Sequence, residues 1–495
     1  MAGRALPSLP QYRKDGVTRR LCASVHIDDA FAYEVDRELT GDRLDSLGLT
    51  LGINFVALAR HARASVLRRE ALDRRLSWLF AGLVVSLLVA GWALATSHGS
   101  LALTGIYGPL GALAVCWWLV HRTESRARGA ARDVFSNPER PERLVPPVEP
   151  EAEAWLHELK RANVLPYADA AALTTPFVGS GSKIKEAVWQ PIDISRAAEA
   201  PGGGSLPVRP FDAVDLHTYV ARHMENISGL DGLRARNRLY VLGSNACLLP
   251  DLVPDRTVRP RAGIPKQLVQ AGLLTPGAGM RTHLCLERVG EGGRLIVSMY
   301  LRAILHRPNL TWEVAAYAIP PLSDRFYQVD RLPVAAFEQW WSLVTHATAR
   351  TWPELAGAWR RLRERRRRRR GDARLLAKRR REITDQHAVV DYGAGSSVRE
   401  QLGDWEQAGY AERIDSQDFL FRLQQGVLIA TERFLKDHNV DTSSFDKAQQ
   451  VISTQTYNIS GDVTGPSNFG NNGQINLGGQ PGHHPGPGQA AAPQP

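Results

Sequence analysis

Two apolar stretches decide the fold of this chain: LSWLFAGLVVSLLVAGWALAT, from Leu76 to Thr96, and LALTGIYGPLGALAVCWWLV, from Leu101 to Val120. Only residues 97–100 separate them, and neither stretch contains a charged residue. Each has the roughly twenty apolar residues that a helix needs to cross the ~30 Å hydrocarbon core of a bilayer. We therefore predict a transmembrane helical hairpin, rather than a hairpin buried in the core of a large soluble domain.

Arginines are concentrated at both outer ends of this hairpin and absent from its short connection. They are Arg60, Arg63, Arg68, Arg69, Arg74 and Arg75 before the first span, and Arg122, Arg126, Arg128 and Arg132 after the second. Because loops rich in arginine and lysine stay on the cytoplasmic side, we expect both chain termini in the cytoplasm. The sequence thus predicts a multi-pass protein of the cytoplasmic (inner) membrane, with the lipid bilayer as its first partner.

Small residues recur at four-residue spacing in both spans. They are Gly82, Ser86 and Ala90 in the first span, and Thr104, Gly108 and Ala112 in the second. This spacing places them on one face of each helix, where they allow two backbones to approach closely. No ionisable side chain lies within either span, which favours an anchor over an ion or proton path.

Composition limits the other partners. The chain has 495 residues, a formal charge of +10 and a pI near 9.6, which favours anionic partners such as the lipid headgroups of the inner leaflet. Nucleic acid is not expected, because net charge alone does not make a nucleic-acid-binding fold. The four cysteines lie far apart, and none has the spacing of a zinc site. We predict no metal site and no cofactor.

The regions around the hairpin differ in composition and divide the chain into seven parts. We expect, in order, an N-terminal cytoplasmic helical region (1–75), the transmembrane hairpin (76–120), a linker (121–150), a cytoplasmic α+β domain (151–335), a helical stretch ending in a polybasic run (336–385), a C-terminal helical segment (386–450) and a Gly/Asn-rich low-complexity tail (451–495). The predicted fold class is an α+β membrane protein. In the first region, Asp28 and Asp29 are expected to cap a helix that begins near Ala30.

The clearest strand signal lies late in the α+β domain. Residues 281–289, 294–305 and 311–318 alternate or are rich in β-branched and aromatic side chains, and a Gly-rich turn (GEGG, residues 290–293) joins the first two. Such a turn between two strand-like runs predicts a β-hairpin, and the third run extends it to a meander. An antiparallel sheet packed on helices follows.

One segment of this domain resembles a phosphate-binding loop, namely PFVGSGSK at residues 176–183. It matches neither a Walker loop nor a dinucleotide fingerprint, so a tight turn leading into a strand near residues 188–194 is the favoured interpretation. Ser180 is not in a G-x-S-x-G elbow. With no acid–base pair, nucleophile triad or metal cluster apparent, we predict no catalytic residues. An enzyme acting on an anionic substrate in this domain stays an alternative, which a pocket lined by charged groups near residues 179–183 would favour.

The polybasic run contains six consecutive arginines. They are Arg365, Arg366, Arg367, Arg368, Arg369 and Arg370. As a helix this run would carry positive charge on every face, so self-repulsion makes it a poor isolated helix. A solvated charged linker, contact with anionic headgroups and contact with nucleic acid are the three interpretations. We assign the run to an anionic surface, because each basic residue near such a membrane gains about 1 kcal/mol.

The tail over residues 455–479 reads QTYNISGDVTGPSNFGNNGQINLGG, with short apolar positions separated by Gly and Asn. These positions are Tyr457, Ile459, Val463, Phe469, Ile475 and Leu477. Such a tract cannot fold alone, but copies from several chains can stack in register with Asn and Gln ladders. We assign self-association to these residues, against the alternative of a disordered tail.

Several landmarks together resemble a group of uncharacterised actinobacterial two-helix membrane proteins. They are residues 19–23 (RRLCA) with Phe31, the hairpin, residues 176–181 (PFVGSG), residues 211–220, residues 320–322 (PPL) with Tyr327 and Asp330, and residues 391–400. Separately, residues 455–477 resemble the amyloid signalling motifs that follow a helix at the end of bacterial immune or cell-death proteins. The first resemblance implies a membrane location but no activity, and the second implies assembly through the tail.

The order of features favours a non-enzymatic membrane protein that acts as a signalling or assembly scaffold. In this hypothesis the hairpin anchors the chain, the α+β domain receives a partner or ligand, and the tail assembles copies. A second hypothesis is a defence or cell-death effector that perturbs the membrane when its tails cluster. The third is the enzyme described above.

Overall fold

The computed structural model describes residues 12–41, 43–96, 104–170, 173, 175–200, 202–227, 229–443 and 445. The α-helices are α1 (Gly16–Ile27), α2 (Asp29–Leu39), α3 (Phe55–Ala95), α4 (Thr104–Ser136), α5 (Pro150–Leu159), α6 (Ala213–Glu225), α7 (Lys266–Leu274), α8 (Ala336–Gln386), α9 (Val398–Gln401) and α10 (Tyr410–Asp437). The strands are β1 (Val164–Tyr167), β2 (Ser182–Val188), β3 (Ile192–Asp193), β4 (Arg234–Leu242), β5 (Met280–Gly290), β6 (Leu295–His306) and β7 (Asn309–Ile319). The fold is mixed α+β, as predicted.

A helical bundle of α1, α2, α3, α4 and α8 occupies one part of the molecule. Its helices begin where polar side chains satisfy the first free amides. Asp28 accepts hydrogen bonds from the amides of Ala30 and Phe31, so the predicted cap is confirmed, and Asn54 caps α3 in the same way. Apolar faces of α1, α2 and α3 then meet in a core that includes Leu21, Phe31 and Leu58.

Helix α3 is continuous from this bundle into the first predicted span. Its 41 residues contain an 18-residue window of mean hydropathy 2.1 that is only 17% buried. Among the residues that the structure describes, α3 is the one helix long and apolar enough to cross a membrane. The second predicted span is described only from Thr104, in α4, so the two-helix hairpin and the multi-pass topology stay predictions.

The other part of the molecule is built on a seven-stranded sheet, ordered β1-β4-β5-β6-β7-β2 with β3 beside β7. Strands β5, β6 and β7 form the antiparallel meander predicted from the sequence, and only β1 pairs in parallel, with β4. One face of the sheet packs against α6 and α10 in the largest core, which includes Leu284, Leu301 and Phe434. The C-terminal helix is therefore part of the sheet domain, although it lies about a hundred residues further along the chain than β7.

The opposite face of the sheet is only partly covered. Leu49 and Leu51, from the loop before α3, and Phe177 and Val178, from the turn before β2, pack on it in a smaller core. Gly179 and Gly181 in this turn have φ of 93° and 88°, the left-handed region that favours glycine. Residues 176–183 thus form the expected tight turn, but the strand begins at Ser182, earlier than residue 188, because the chain pairs with β7 as soon as the turn ends.

Candidate functional site: a cavity on the open face of the sheet

A cavity of about 650 Å³ lies on the partly covered face of the sheet and opens to solvent on one side. We call it the sheet-face cavity. Its lining comes from six strands, the turn before β2 and the turn before β5: Tyr167, Pro176, Phe177, Glu186, Ala187, Val188, Tyr240, Gly279, Arg281, His283, Tyr300, Glu313, Val314 and Ala315. Its volume lies within the range of about 300–1,000 Å³ that small-molecule sites occupy.

Strand alternation places the polar side chains in this cavity. Successive residues of a strand face opposite sides of a sheet, so Leu284 and Leu286 enter the core beneath α6 and α10 while Arg281 and His283 face the other way. Register then sets the neighbours across the sheet. Tyr240 lies opposite Arg281, Tyr300 opposite Ala315, and Ala315 opposite Glu186. The small side chain of Ala315 leaves space between a tyrosine and a carboxylate.

Phe177 forms an aromatic wall above the floor of the cavity. Its ring stacks on Tyr300 with the centroids 4.1 Å apart and the planes 8° from parallel, and it contacts Tyr240 and His283 edge to face. The turn that carries Phe177 is held in place by hydrogen bonds. The amide of Gly179 donates to Glu400 Oε2 (2.9 Å), and Ser180 Oγ lies 2.6 Å from the hydroxyl of Tyr300. These two polar groups are therefore occupied by the protein itself and do not form a phosphate-binding loop.

Both carboxylates in the cavity lining form ion pairs, whereas the guanidinium of Arg281 does not. Glu186 bonds Lys183 Nζ (2.8 Å), and Glu313 bonds Arg302 Nη1 (3.1 Å). The side chain of Arg281 is exposed, and its guanidinium makes no ion pair or hydrogen bond with any residue that the structure describes. Burial, reinforced by Arg302, lowers the pKa of His283 to about 3, so this imidazole is neutral at physiological pH. A single unpaired positive charge at Arg281 remains.

The buried groups behind the cavity are suited to structure more than to chemistry. Burial raises the pKa of the Cys285 thiol to about 11, which keeps it protonated and poorly nucleophilic. Arg238 and Glu287 form a buried ion pair at 2.8 Å. No group of three or more His, Cys, Asp or Glu side chains able to hold a metal occurs among the described residues. The arrangement can bind a ligand, but it shows no activated nucleophile.

The polybasic run lies within α8, and some of its arginines form ion pairs whereas others do not. Arg365 Nη1 lies 2.6 Å from Asp73 Oδ2, on α3, where Asp73 is fully buried and also bonds Arg361. Arg369 pairs with Glu70, and Arg368 pairs with Glu364 on its own helix. The remaining members are exposed and form no ion pair within the described part of the chain: Arg366, Arg367 and Arg370.

The predicted helix-packing residues lie partly at the contact between α3 and α4. A Cβ added at Gly108 would overlap the Ser86 side chain, and Ala90 and Ala112 are buried. Gly82 faces open space. Of the span limits, Leu76 is buried against α4 and α8, Thr96 and Val120 are described, and Leu101 lies outside the described residues, as do all six self-association residues of the tail.

Sequence reasoning did not identify the sheet-face cavity. A signal was present, because the meander carries charged or polar side chains at every second position of otherwise apolar strands: Arg281, His283, Glu287, Arg302 and Glu313. Since residues two apart on a strand share a face, these side chains had to face one side of the sheet together. What the pattern could not show is that the turn before β2 leaves this side partly uncovered.

Comparison with known proteins gives a family for this chain. No curated protein and no solved structure matches it. A family model described as an AbeC-like domain matches residues 188–474, more than half of the chain. The match begins after the predicted hairpin, at the end of β2, and includes the meander, α8 and α10. The chain therefore belongs to the AbeC-like domain family.

Proposed function

We propose that this protein is an integral protein of the cytoplasmic membrane whose helical hairpin holds the α+β domain at the inner face, where it acts as a non-enzymatic signalling or assembly scaffold. The observation that carries the proposal is the exposure of the apolar half of α3. Trp78, Leu88 and Leu94 are 77%, 68% and 70% exposed. On α4, Tyr107 and Leu110 are similarly exposed.

Exposed side chains of this kind argue for a lipid environment. Leaving one large apolar side chain in water forgoes about 1.5–3 kcal/mol, and soluble proteins seldom show apolar patches larger than a few hundred Å². The core helix of a soluble protein would bury this window, whereas only 17% of it is buried. Lipid tails would solvate the surface without cost.

Helix α8 supports the same orientation. It packs beside the cytoplasmic end of the second predicted span, where Trp117 Nε1 donates to Thr348 Oγ1 (3.1 Å). Nearby on α8, Trp352 and Trp359 are exposed, and the three unpaired arginines follow about two to three turns after Trp359. Tryptophan favours the membrane–water interface and arginine favours anionic headgroups, so this part of α8 fits the inner surface of a membrane.

The assembly part of the proposal rests on the tail. Its Gly- and Asn-separated apolar residues resemble amyloid signalling motifs, and the family match continues as far as residue 474. In this proposal, clustered tails from several chains bring their anchored domains together on one leaflet.

Membrane fractionation with site-specific labelling tests the anchor. The full chain, expressed in bacteria, is expected to stay in the membrane pellet after a carbonate wash. A Gly99→Cys variant is expected to react with a membrane-impermeant maleimide in intact cells, while the wild type, with its four native cysteines, does not. Extraction by carbonate would reject the anchor. Labelling of Gly99→Cys only after lysis would reject the orientation.

The sheet-face cavity favours a second candidate, an enzyme acting on an anionic substrate in the 151–335 domain. The cavity lies beside residues 179–183 and has charged groups in its lining. Because the thiol of Cys285 is held protonated and His283 is held neutral, ligand binding is the better supported role. Turnover of an anionic compound by the purified protein would favour the enzyme.

A further inference from the structure

We propose that the sheet-face cavity binds a nucleoside phosphate, a small anion that carries a flat ring. The proposal adds a ligand to the scaffold described above and does not depend on the membrane anchor. At about 650 Å³, the cavity is large enough for a mononucleotide with ordered water around it.

The charged side chains of the cavity lining favour an anionic ligand. The two carboxylates of the lining are already neutralised, since Glu186 bonds Lys183 and Glu313 bonds Arg302. A cationic ligand would have to displace these partners. Arg281 has no such partner in the described structure, and a guanidinium presents paired donors that match the oxygens of a phosphate. The phosphate is therefore placed at Arg281.

The apolar and aromatic side chains of the lining also favour a ligand that carries a flat ring. Tyr167, Pro176 and Phe177 contribute ring surfaces to the lining, and Val188 and Ala315 contribute aliphatic surface. A flat heterocycle between aromatic and aliphatic surfaces gains stacking and apolar burial, which inorganic phosphate does not. The carboxylates of Glu186 and Glu313 each keep an oxygen outside their ion pairs, and such oxygens accept hydrogen bonds from sugar hydroxyls or ring N–H groups.

Titration calorimetry on the full chain in detergent tests the proposal. The probes are AMP, GMP, CMP and UMP, with adenosine and inorganic phosphate in parallel. We expect at least one monophosphate to bind, and we expect adenosine and phosphate to bind about tenfold or more weakly, because neither contacts Arg281 and the ring wall together.

Two variants locate the site. Arg281→Gln is expected to lower the affinity about tenfold or more by removing the charged donor. Arg236→Gln is the matched control, because Arg236 lies on β4, opposite Cys285 and outside the cavity lining, and it should keep wild-type affinity. Ala315→Leu fills the cavity floor and should abolish binding. Circular dichroism and the melting temperature verify the fold of each variant.

Several results would overturn the proposal. They are no binding of any monophosphate at about 1 mM, the weakest affinity worth assigning, unchanged affinity in Arg281→Gln, and inorganic phosphate or adenosine binding as tightly as the nucleotides. Because Arg281 is exposed, its replacement leaves the fold intact, so the test does not depend on Ala315→Leu.

Discussion

Two buried arginines each donate hydrogen bonds to several backbone carbonyl oxygens and so hold neighbouring segments together. Arg399 is fully buried and donates to the carbonyl oxygens of Gly293 (3.2 Å), Arg294 (3.2 Å) and Pro320 (2.7 Å). Burial lowers the pKa of its guanidinium to about 10, which still leaves it charged at neutral pH. Arg19 similarly donates to three carbonyl oxygens at and just beyond the end of α4, those of Val134 (2.8 Å), Asn137 (2.7 Å) and Glu139 (2.5 Å). Both lie in segments that carry the family resemblance, so those residues are explained by structure rather than by chemistry.

His217 makes the stability of the sheet domain depend on pH. The amide of Ala303 donates to its Nε2 (3.0 Å), so the proton is on Nδ1, which faces Asn237 Oδ1 (3.0 Å). Burial lowers the pKa of this imidazole to about 4, against an ordinary value of 6.5. The unfolded chain therefore binds a proton first as pH falls. The free energy of unfolding should decrease from about pH 6.5 down to about pH 4, by up to about 3 kcal/mol, and stay level above that window.

The slope of the apparent melting temperature against pH measures this effect. Replacement of His217 by Asn should flatten the slope between pH 6.5 and pH 4, while also lowering stability at neutral pH, where an acceptor is lost. His387, which is exposed just after α8 and makes no ion pair with any described residue, supplies the control: H387N should keep the wild-type slope. An H217N slope as steep as that of the wild type would assign the acid sensitivity to other groups, such as His61, whose pKa burial also lowers to about 4.

At the scale of elements, the polybasic part of α8 shows how a helix of like charges forms. In isolation it would repel itself, but in the fold Asp73 and Glu70 of α3 bond Arg361, Arg365 and Arg369. Glu354, on α8 itself, bonds Arg361 and also Arg69 of α3. The sequence predicted a helix over residues 336–385 and the structure has one over Ala336–Gln386. Which arginines are paired could not be predicted, because their acidic partners lie almost three hundred residues earlier.

The contact between α3 and α4 gives a prediction that compares two glycines of α4. Gly108→Ala should weaken the packing of the two helices by about 1–3 kcal/mol, because the new methyl group would overlap Ser86 Oγ and lie 2.9 Å from its Cβ. Gly111→Ala is the control, since no atom lies within 4 Å of a Cβ there, and alanine should improve helix stability slightly. Thermal unfolding in detergent measures both. Equal melting temperatures for the two variants would contradict the close contact.

Strand positions were easier to predict than strand limits. The meander was evident because its alternation and its Gly-rich turn are local signals. Strand β2 was placed too late, since its start depends on pairing with β7, which lies 130 residues further along the chain. Local pattern therefore predicted which strands exist, and distant partners decided where one of them begins.

At the scale of the whole molecule, the sheet domain is assembled from distant segments. Helix α10 fills the same core as β5, β6 and β7, and its apolar side chains Leu423, Val427 and Phe434 are buried there. Composition could delimit regions along the chain, but it could not show that residues after the polybasic run return to the sheet. The family match, which spans both sides of α8, agrees with this connection.

The assembly hypothesis predicts different behaviour for two deletions of the tail. Removal of residues 451–495 should leave the protein without concentration-dependent assembly, because all six apolar tail residues are lost. Removal of residues 480–495 alone should keep assembly, because Tyr457 to Leu477 remain. Thioflavin fluorescence and sedimentation of the two proteins in detergent make the comparison. Assembly that persists without residues 451–495 would assign it to another surface.

The uninterrupted length of α3 has a mechanical consequence. Its 41 residues extend about 61 Å at a rise of about 1.5 Å per residue, with no loop between the apolar half and the half that packs with α1 and α2. If the apolar half lies in a bilayer, as proposed, one continuous helix connects a lipid-embedded part to a part that packs in the water-exposed bundle. In that arrangement, a change in bilayer thickness that tilts the apolar part would also displace the bundle part, and Asp73, between the two, would transmit the movement to Arg361 and Arg365 of α8.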